Sequence, residues 1–237
     1  MITKELIENR INHFFGYGNI ESDIWFIGME EGFDGNLSDL KIRFNNAESK
    51  SVIDLQNDMA HVQDHIKWFS PNSKVQNTWG KLIQILLTLQ SNEPITIDQI
   101  KEFQRKEFGR LNSTHSCLEL MPLPCRSIRK EDWFYNQFNI DYLETRKKYL
   151  DKIMPIRIEL FKNLIKKNNP KIVVCYSIGY LKKWQEIVDI ELTKINNLYY
   201  SRKDQTHFFV IPHPVARGLT NNEWFEIFKN LKEISSI

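Results

Sequence analysis

The sequence predicts an α/β fold, in the form of a three-layer α/β/α domain with a mostly parallel central sheet of four strands. Short apolar runs typical of buried strands alternate with longer stretches whose apolar residues recur at helical spacing. This alternation is typical of parallel sheets that carry helices on both faces. A length of 237 residues suits one such domain, so we expect residues 1–237 to form a single folded unit.

The predicted strands end at glycine or proline, and the predicted helices lie between them. We expect the central strands at residues 23–28, 116–121, 171–176 and 207–211, with a further strand-like segment at 198–200. We expect helices at residues 6–15, 75–89, 97–108, 142–168, 181–188 and 221–234. Pro155 is expected to kink the longest helix or split it in two. Residues 29–49 are polar and contain Gly and Asn, which predicts a long functional loop.

The composition argues against several classes of protein. The formal net charge is only +2, so any contact with nucleic acid must come from a local basic patch. The three cysteines, Cys117, Cys125 and Cys175, include no CxxC pair, which argues against a disulfide framework, a zinc ribbon or an iron–sulfur cluster. The N-terminal residues lack a basic-then-apolar signal, and no apolar run could span a bilayer. We therefore expect a cytoplasmic monomer with no membrane partner.

An acidic turn follows the first predicted strand, in the segment Gly28-Met29-Glu30-Glu31-Gly32. The two glycines permit a sharp turn and a close approach of a ligand to the backbone. Two adjacent carboxylates at this position can accept a proton, orient a water or stabilise a developing positive charge. The alternative is a solvated turn whose acidic residues simply favour a following helix N-terminus.

A histidine lies at the end of the last predicted central strand, between Pro212 and Pro214. Both prolines restrict the backbone of His213, which favours a fixed hydrogen-bonding or proton-donating role. Arg217 follows in a glycine-containing loop just before a predicted helix, a position that suits contact with a phosphate. The alternatives are a histidine that only caps a turn and an arginine that is merely exposed.

Glu119 lies inside an otherwise apolar predicted strand, just before a proline break. A buried charge is costly unless it is paired, so Glu119 is expected to face a pocket if its strand is central. The alternative is a carboxylate at a sheet edge that pairs with a nearby arginine such as Arg126.

Two further segments leave alternatives open. The loop at residues 126–138 includes Arg126 and Ser127 and combines basic residues with Trp133, Phe134 and Tyr135, a mixture that suits single-stranded nucleic acid. Those aromatic residues could equally anchor the loop in the core. His61 and His65 are four residues apart on a predicted helix, but two histidines do not make a metal site, and we expect a solvated helix face.

The order and spacing of these segments resemble the uracil-DNA glycosylase superfamily over nearly the whole chain. The acidic turn at 28–32 is similar to the turn that holds the water-activating residue in that family, with Glu31 in place of the usual proline. Residues 118–124, Leu-Glu-Leu-Met-Pro-Leu-Pro, are similar to the Thr-Asn-Leu-Val-x-x-Pro stretch of the mismatch-specific branch. Residues 213–218 are similar to the His-Pro-Ser motif and the loop after it, with Val215 in place of the serine. The four-cysteine cluster of the iron–sulfur branches is absent.

This resemblance implies a monofunctional DNA glycosylase that flips a nucleotide out of the stack and leaves an abasic site, with no metal and no cofactor. Glu30, with Glu31 as second choice, would orient the water and stabilise an oxocarbenium-like state. His213 would donate to the base O2 as the base leaves. Glu119 would read the base edge.

The resemblance also assigns residues that hold the base and the DNA. Met29 is expected to contact the base, and either Phe33 or Phe44 is expected to stack on the base. Residues expected to contact the DNA, or to fill the space left by the flipped nucleotide, are Arg126, Ser127, Arg217 and Gly218.

The identity of Glu119 suggests which base is read. A charged carboxylate only accepts hydrogen bonds, so it would pair with the exocyclic amine of cytosine and repel O4 of uracil. We therefore expect a modified cytosine, such as glucosylated hydroxymethylcytosine in phage DNA, and a role in antiviral defence.

Three other functions remain as alternatives. One is a uracil or mismatch repair glycosylase, and another is a non-catalytic DNA-binding module on the same fold. The third is a small-molecule hydrolase or transferase on a doubly wound sheet, which is disfavoured because the chain has neither a Gly-x-Ser-x-Gly elbow nor a P-loop.

Overall fold

The computed structural model describes residues 2–47, 49–62 and 65–235. The helices in these ranges are α1 (Lys4–His13), α2 (Leu37–Asn46), α3 (Leu55–Met59), α4 (Asn77–Gln90), α5 (Ile97–Lys106), α6 (Arg146–Asn168), α7 (Leu181–Val188) and α8 (Asn221–Ser235). The strands are β1 (Gly16–Gly18), β2 (Ile24–Gly28), β3 (Val52–Ile53), β4 (His115–Glu119), β5 (Ile172–Tyr176), β6 (Thr193–Ile195), β7 (Leu198–Lys203) and β8 (Thr206–Ile211). Within the described ranges, no helix is both long enough and apolar enough to cross a membrane.

The strands form one mixed sheet in the order β3-β1-β4-β2-β5-β8-β7-β6. The four central strands, β4, β2, β5 and β8, run parallel to one another. β1 pairs antiparallel with β4 on one side, and β7 pairs antiparallel with β8 on the other. The α/β class is confirmed, but the expected sheet of four mostly parallel strands is replaced by a mixed sheet of eight in the described chain. The sequence pattern missed β1, β3 and β6 because two or three residues are too few to show a period.

Side chains on the central strands alternate between two apolar layers. Trp25 and Ile27 of β2 pack into one core, together with residues of α1, α6 and α7. Phe26, between them in sequence, packs into a second core with residues of α4, α5 and α8. Burying both faces of the sheet explains why these strands are almost continuously apolar, as is usual where helices cover a parallel sheet on both sides.

The segment at residues 29–49 is not the continuous loop that the sequence predicted, because it contains α2. Asn36 caps this helix by accepting a hydrogen bond from the Ser38 N–H at 2.9 Å. Leu40 and Phe44, four residues apart, are both buried in the core. The sequence pattern did not predict this helix, because its apolar face is short and glycine and asparagine residues flank it. Pro155 lies inside α6, which continues through it and is not split.

The carboxyl ends of the parallel strands meet at one edge of the sheet. Gly28 of β2 lies opposite Glu119 of β4, and Tyr176 of β5 lies opposite Ile211 of β8. The buried Arg157 of α6 holds the end of β4, donating to the carbonyls of Leu120 at 2.8 Å and Glu119 at 3.0 Å. Open α/β sheets bind ligands at this edge.

Candidate active site

A cavity of about 640 Å³ opens at the carboxyl edge of the parallel strands. Side chains from four strand ends or the turns after them line it: Glu30, Glu31, Glu119, Tyr176 and His213. These residues are far apart in sequence, and the sheet order brings them together. The cavity therefore collects the acid-base residues that sequence analysis selected at three separate strand ends.

Glu31 is buried in a network that satisfies both of its oxygens. Arg10 donates to Oε2 at 2.6 Å, and Tyr17 donates to Oε1. Arg43 lies 3.7 Å from Oε1 and also binds Asp39 at 2.7 Å. Two arginines that share one carboxylate hold Glu31 in a fixed position in the lining of the cavity. This network spans residues 10–43 and could not be read from local sequence patterns.

Glu30 has a different environment from its neighbour. Arg146, at the start of α6, donates to Oε1 of Glu30 at 2.6 Å. The other oxygen, Oε2, is buried and has no hydrogen-bond partner within the described residues. Burial raises the pKa of Glu30, and Arg146 partly offsets that rise. Glu30 therefore keeps one oxygen free for a ligand or a water, whereas Glu31 has none to spare.

Glu119 lies at the end of β4, between β1 and β2, and so is not at an edge of the sheet. Its Oε1 is 3.3 Å from the hydroxyl of Tyr176, and its Oε2 is buried without a hydrogen-bond partner in the described chain. Burial raises the pKa of Glu119 well above its ordinary value, and the nearby charges of Glu31 and Glu30 raise it further. The expected alternative, an edge carboxylate paired with Arg126, does not fit this position.

Gly28 makes the meeting of Glu119 and Tyr176 possible. A Cβ at this position would lie 2.1 Å from the Tyr176 hydroxyl oxygen and 2.5 Å from Oε2 of Glu119. Both distances are far below van der Waals contact. Side chains from the two strands that flank β2 therefore occupy the space above this glycine.

Tyr176 is a site residue that sequence analysis missed. It is buried, lines the cavity and packs edge-to-face on His213 with ring centroids 5.7 Å apart. A signal was present, because Tyr176 is a polar-tipped residue at the end of a predicted central strand, as Glu119 is. Which strands are neighbours was the missing information.

His213 lies just beyond β8 with a defined tautomer. Its Nδ1 accepts a hydrogen bond from the Val215 N–H at 3.2 Å. Since Nδ1 is an acceptor, the neutral ring carries its proton on Nε2. Burial lowers the pKa of His213, which favours this neutral form. The ring can therefore donate one hydrogen bond, from Nε2, to a ligand in the cavity.

The residues expected to contact the base are divided between the cavity and the core. Met29 and Phe33 line the cavity, and Phe33 packs edge-to-face on Phe134 at 5.1 Å. Phe44 does not belong to the lining; it is buried in the core, with the Arg10 guanidinium 5.1 Å from its ring. Of the two aromatic residues that the sequence left open for stacking, the cavity contains Phe33.

The residues expected to contact DNA lie around the mouth of the cavity or beyond it. Arg126 and Ser127 belong to the lining. Arg217 and Gly218 are exposed on the loop after His213 and do not line the cavity. Val215, on the same loop, does line it. The exposed residue Ile128 is also part of the lining.

The aromatic residues of the 126–138 loop serve as anchors. Trp133 and Tyr135 are buried, and their polar atoms bond to the backbone. The Trp133 N–H donates to Leu143 at 2.7 Å, and the Tyr135 hydroxyl donates to Pro124 at 2.9 Å. These bonds favour the anchoring role over base stacking for this pair.

His61 and His65 do not lie on the expected solvated helix face, because α3 ends at Met59 and both histidines lie in turns. No group of three or more His, Cys, Asp or Glu residues suited to a metal ion occurs in the part of the chain that the structure describes. His65 lines the cavity, but its Nε2 is 3.5 Å from the Arg43 guanidinium. That neighbouring positive charge disfavours a bound cation.

No protein-family model matches this sequence, and no curated protein is significantly similar to it. Function therefore has to be inferred from the chemistry of the cavity and from the order of the motifs that surround it.

Proposed function

We propose that this protein is a monofunctional DNA glycosylase, a divergent relative of uracil-DNA glycosylases, that hydrolyses the N-glycosidic bond of a flipped pyrimidine. One observation carries the proposal: Glu30, Glu119 and His213, from three separate strand ends, line the same cavity. A carboxylate, a base-reading group and a neutral imidazole donor are the parts that such a hydrolysis needs.

Glu30 is the residue that we assign to water activation. The bond from C1′ to the base breaks through an oxocarbenium-like state, and a negative carboxylate nearby stabilises that positive charge. The water oxygen then bonds to C1′, and its proton passes to Glu30. The free Oε2 of Glu30 and the fixed Oε1 beside Arg146 suit this role. Glu31, held by Arg10 and Tyr17, positions the turn instead.

His213 is the residue that we assign to the leaving base. The base departs with the electron pair of the broken bond, so negative charge builds on its carbonyl oxygen. A neutral imidazole that donates from Nε2 stabilises this charge without adding a proton to the ring. The Val215 N–H bond to Nδ1 holds the tautomer that this role requires.

The rim of the cavity, which we define as residues 126–128 and 215–218, would contact the DNA and keep the bases beside the flipped nucleotide apart. Ile128 and Val215 are 69% and 49% exposed and lie on different loops at the cavity. Apolar side chains of this kind insert between base steps in other DNA-binding proteins. Arg126, Ser127, Arg217 and Gly218 lie on the same two loops, where the arginines can contact phosphates.

We propose a modified cytosine, such as glucosylated hydroxymethylcytosine in phage DNA, as the substrate, which would give the protein a role in antiviral defence. The cavity volume of about 640 Å³ supports this substrate. It lies well within the range of about 300–1,000 Å³ that is usual for small-molecule sites, so it has room for a base with an added group.

The experiment that tests catalysis separates an enzyme from a DNA-binding module on the same fold. We expect Glu30→Gln and His213→Ala each to slow base release by a factor of about 10² or more, while DNA affinity is retained. Glu102→Gln, at an exposed glutamate on α5, is the matched control and should leave base release unchanged. Retained DNA binding with no base release by the wild-type protein would favour the binding module.

A further inference from the structure

Glu119 differs from the other two glutamates of the cavity in having no cationic partner. Glu31 pairs with Arg10, and Glu30 pairs with Arg146, each at 2.6 Å. Across the residues that the structure describes, Glu119 forms no salt bridge, and its hydrogen bond comes from the phenol of Tyr176. An ionised carboxylate that is buried without a cation is strongly disfavoured, and nearby negative charges add to the cost.

We propose that Glu119 acts as a neutral carboxylic acid, oriented by Tyr176, and that it recognises a base edge on which a hydrogen-bond acceptor lies next to a donor. This inference rests on the proposed function and specifies the chemistry of its substrate. Tyr176 is a positioning residue in this scheme, since it acts through Glu119. Burial and the charges of Glu31 and Glu30, which raise the pKa of Glu119, support the neutral form.

The position of each oxygen assigns the donor and the acceptor. Oε1 accepts the hydrogen bond from Tyr176, so the acid proton belongs on Oε2. Oε2 is the buried atom over Gly28 that has no protein partner in the described chain. A base edge would supply an acceptor for the Oε2 proton and a donor for the remaining lone pair of Oε1.

This chemistry changes the expectation drawn from a charged Glu119. A carboxylate would pair with the amine of cytosine and repel O4 of uracil, whereas a neutral acid can pair with either base. In cytosine the ring N3 accepts and the exocyclic amine donates; in uracil O4 accepts and N3–H donates. Selectivity for a modified cytosine must then come from contacts between the cavity and the added group.

The first experiment compares two substitutions of Glu119. Glutamine is neutral and offers a donor and an acceptor, and leucine offers neither. We expect Glu119→Gln to keep base release and free-base affinity within about tenfold of wild type, and Glu119→Leu to lose a factor of about 10². Equal losses in the two variants would show that the negative charge is needed and would overturn the inference.

A second experiment measures the role of Tyr176 through the pH profile. The groups near the Glu119 carboxyl are Glu30 and Glu31 after β2, Cys117 on β4, Tyr176 on β5 and His213 after β8. The Tyr176 hydrogen bond lowers the pKa of Glu119, so Tyr176→Phe should raise it. We expect the loss of free-base affinity at alkaline pH to move to higher pH in this variant. An unchanged profile would contradict the positioning role.

Calorimetry with free bases keeps this inference separate from the proposed function. We expect cytosine and uracil to bind the wild-type protein with affinities within about tenfold, and 3-methyluracil, which lacks the N3–H donor, to bind at least tenfold more weakly than uracil. If these results hold but no DNA substrate releases a base, the proposed activity fails and the recognition chemistry stands. If neither cytosine nor uracil binds, or if 3-methyluracil binds as well as uracil, the recognition chemistry fails.

Discussion

The hydroxyl of Tyr176 lies 3.3 Å from Oε1 of Glu119, although their strands are separated by β2. The two side chains meet above Gly28, where β2 ends without a side chain. Three adjacent parallel strands thus end in a carboxyl, a glycine and a phenol. The glycine is what allows the outer two groups to act together.

Substitution of Gly28 by alanine should disrupt this arrangement. The added Cβ would meet the Tyr176 hydroxyl at 2.1 Å, and Tyr176 is buried, so its ring or the Glu119 carboxyl must move. We expect affinity for free bases to fall by a factor of ten or more, because a buried polar group left without its hydrogen bond costs about 1–3 kcal/mol. Gly179→Ala is the matched control, because a Cβ there meets no atom within 4 Å. Similar affinities in the two variants would contradict the account.

Glu31 should matter for stability more than exposed glutamates do. Removing its carboxylate in Glu31→Ala leaves Arg10 and Arg43 buried without that partner. Breaking a buried ion pair typically costs about 3–5 kcal/mol. We expect a loss of that size in the free energy of unfolding by urea, and no measurable loss in Glu102→Ala at the surface. A cost below about 1 kcal/mol would show that the network is dispensable.

The buried His115 should make stability depend on pH. Burial lowers its pKa from 6.5 to about 3, and its Nε2 accepts from the Gly109 N–H at 3.0 Å. Between these pH values the unfolded chain binds a proton that the folded protein does not. The contribution of His115 to stability is therefore present above pH 6.5 and is lost as pH falls toward 3, by up to about 1.4 kcal/mol per pH unit.

The measurement for His115 is a difference between two pH profiles of unfolding. Glu30, Glu119 and Asp58 have raised pKa values and act in the opposite direction, since the folded protein binds their protons more tightly. Comparing wild type with His115→Gln cancels their effect. We expect the variant to lose less stability than wild type between pH 6.5 and pH 4; parallel profiles would refute the assignment.

The exposed apolar residues of the rim should matter for duplex DNA. Ile128→Ser with Val215→Ser removes both candidate wedges, and flipping a base from a duplex costs a few kcal/mol. We expect base release from duplex DNA to fall at least tenfold, and release from a single strand to change little. Leu111→Ser, another exposed apolar position, is the control. Equal losses on both substrates would argue against a wedge.

Sequence reasoning located the ends of strands well, because Gly28, Pro122 and Pro212 mark them within the chain. It therefore selected Glu30, Glu119 and His213, all of which line the cavity. Contacts between side chains on different strands could not be predicted from the sequence. The bond of Tyr176 to Glu119 depends on β5 and β4 flanking β2, and that order is a property of the folded chain.

Long-range pairing also distinguishes neighbouring candidates that the sequence left open. Glu30 and Glu31 are adjacent and chemically identical, but Arg146 binds Glu30, whereas Arg10 and Tyr17 bind Glu31. Phe33 and Phe44 differ in that α2 carries Phe44 into the core. Helix α2 was missed because its apolar face has few residues and glycine and asparagine precede it.

The most direct test of the proposed function is release of a free base by the wild-type protein. Oligonucleotides with one uracil, cytosine, hydroxymethylcytosine or glucosylated hydroxymethylcytosine, together with phage DNA that contains the modified base, would be incubated with the protein. Mass spectrometry would identify any free base, and alkaline cleavage would locate the abasic site. We expect release of an intact modified cytosine, with activity lost in Glu30→Gln. Absence of any free base from every substrate, in a protein that binds the same DNA, would contradict the proposed activity.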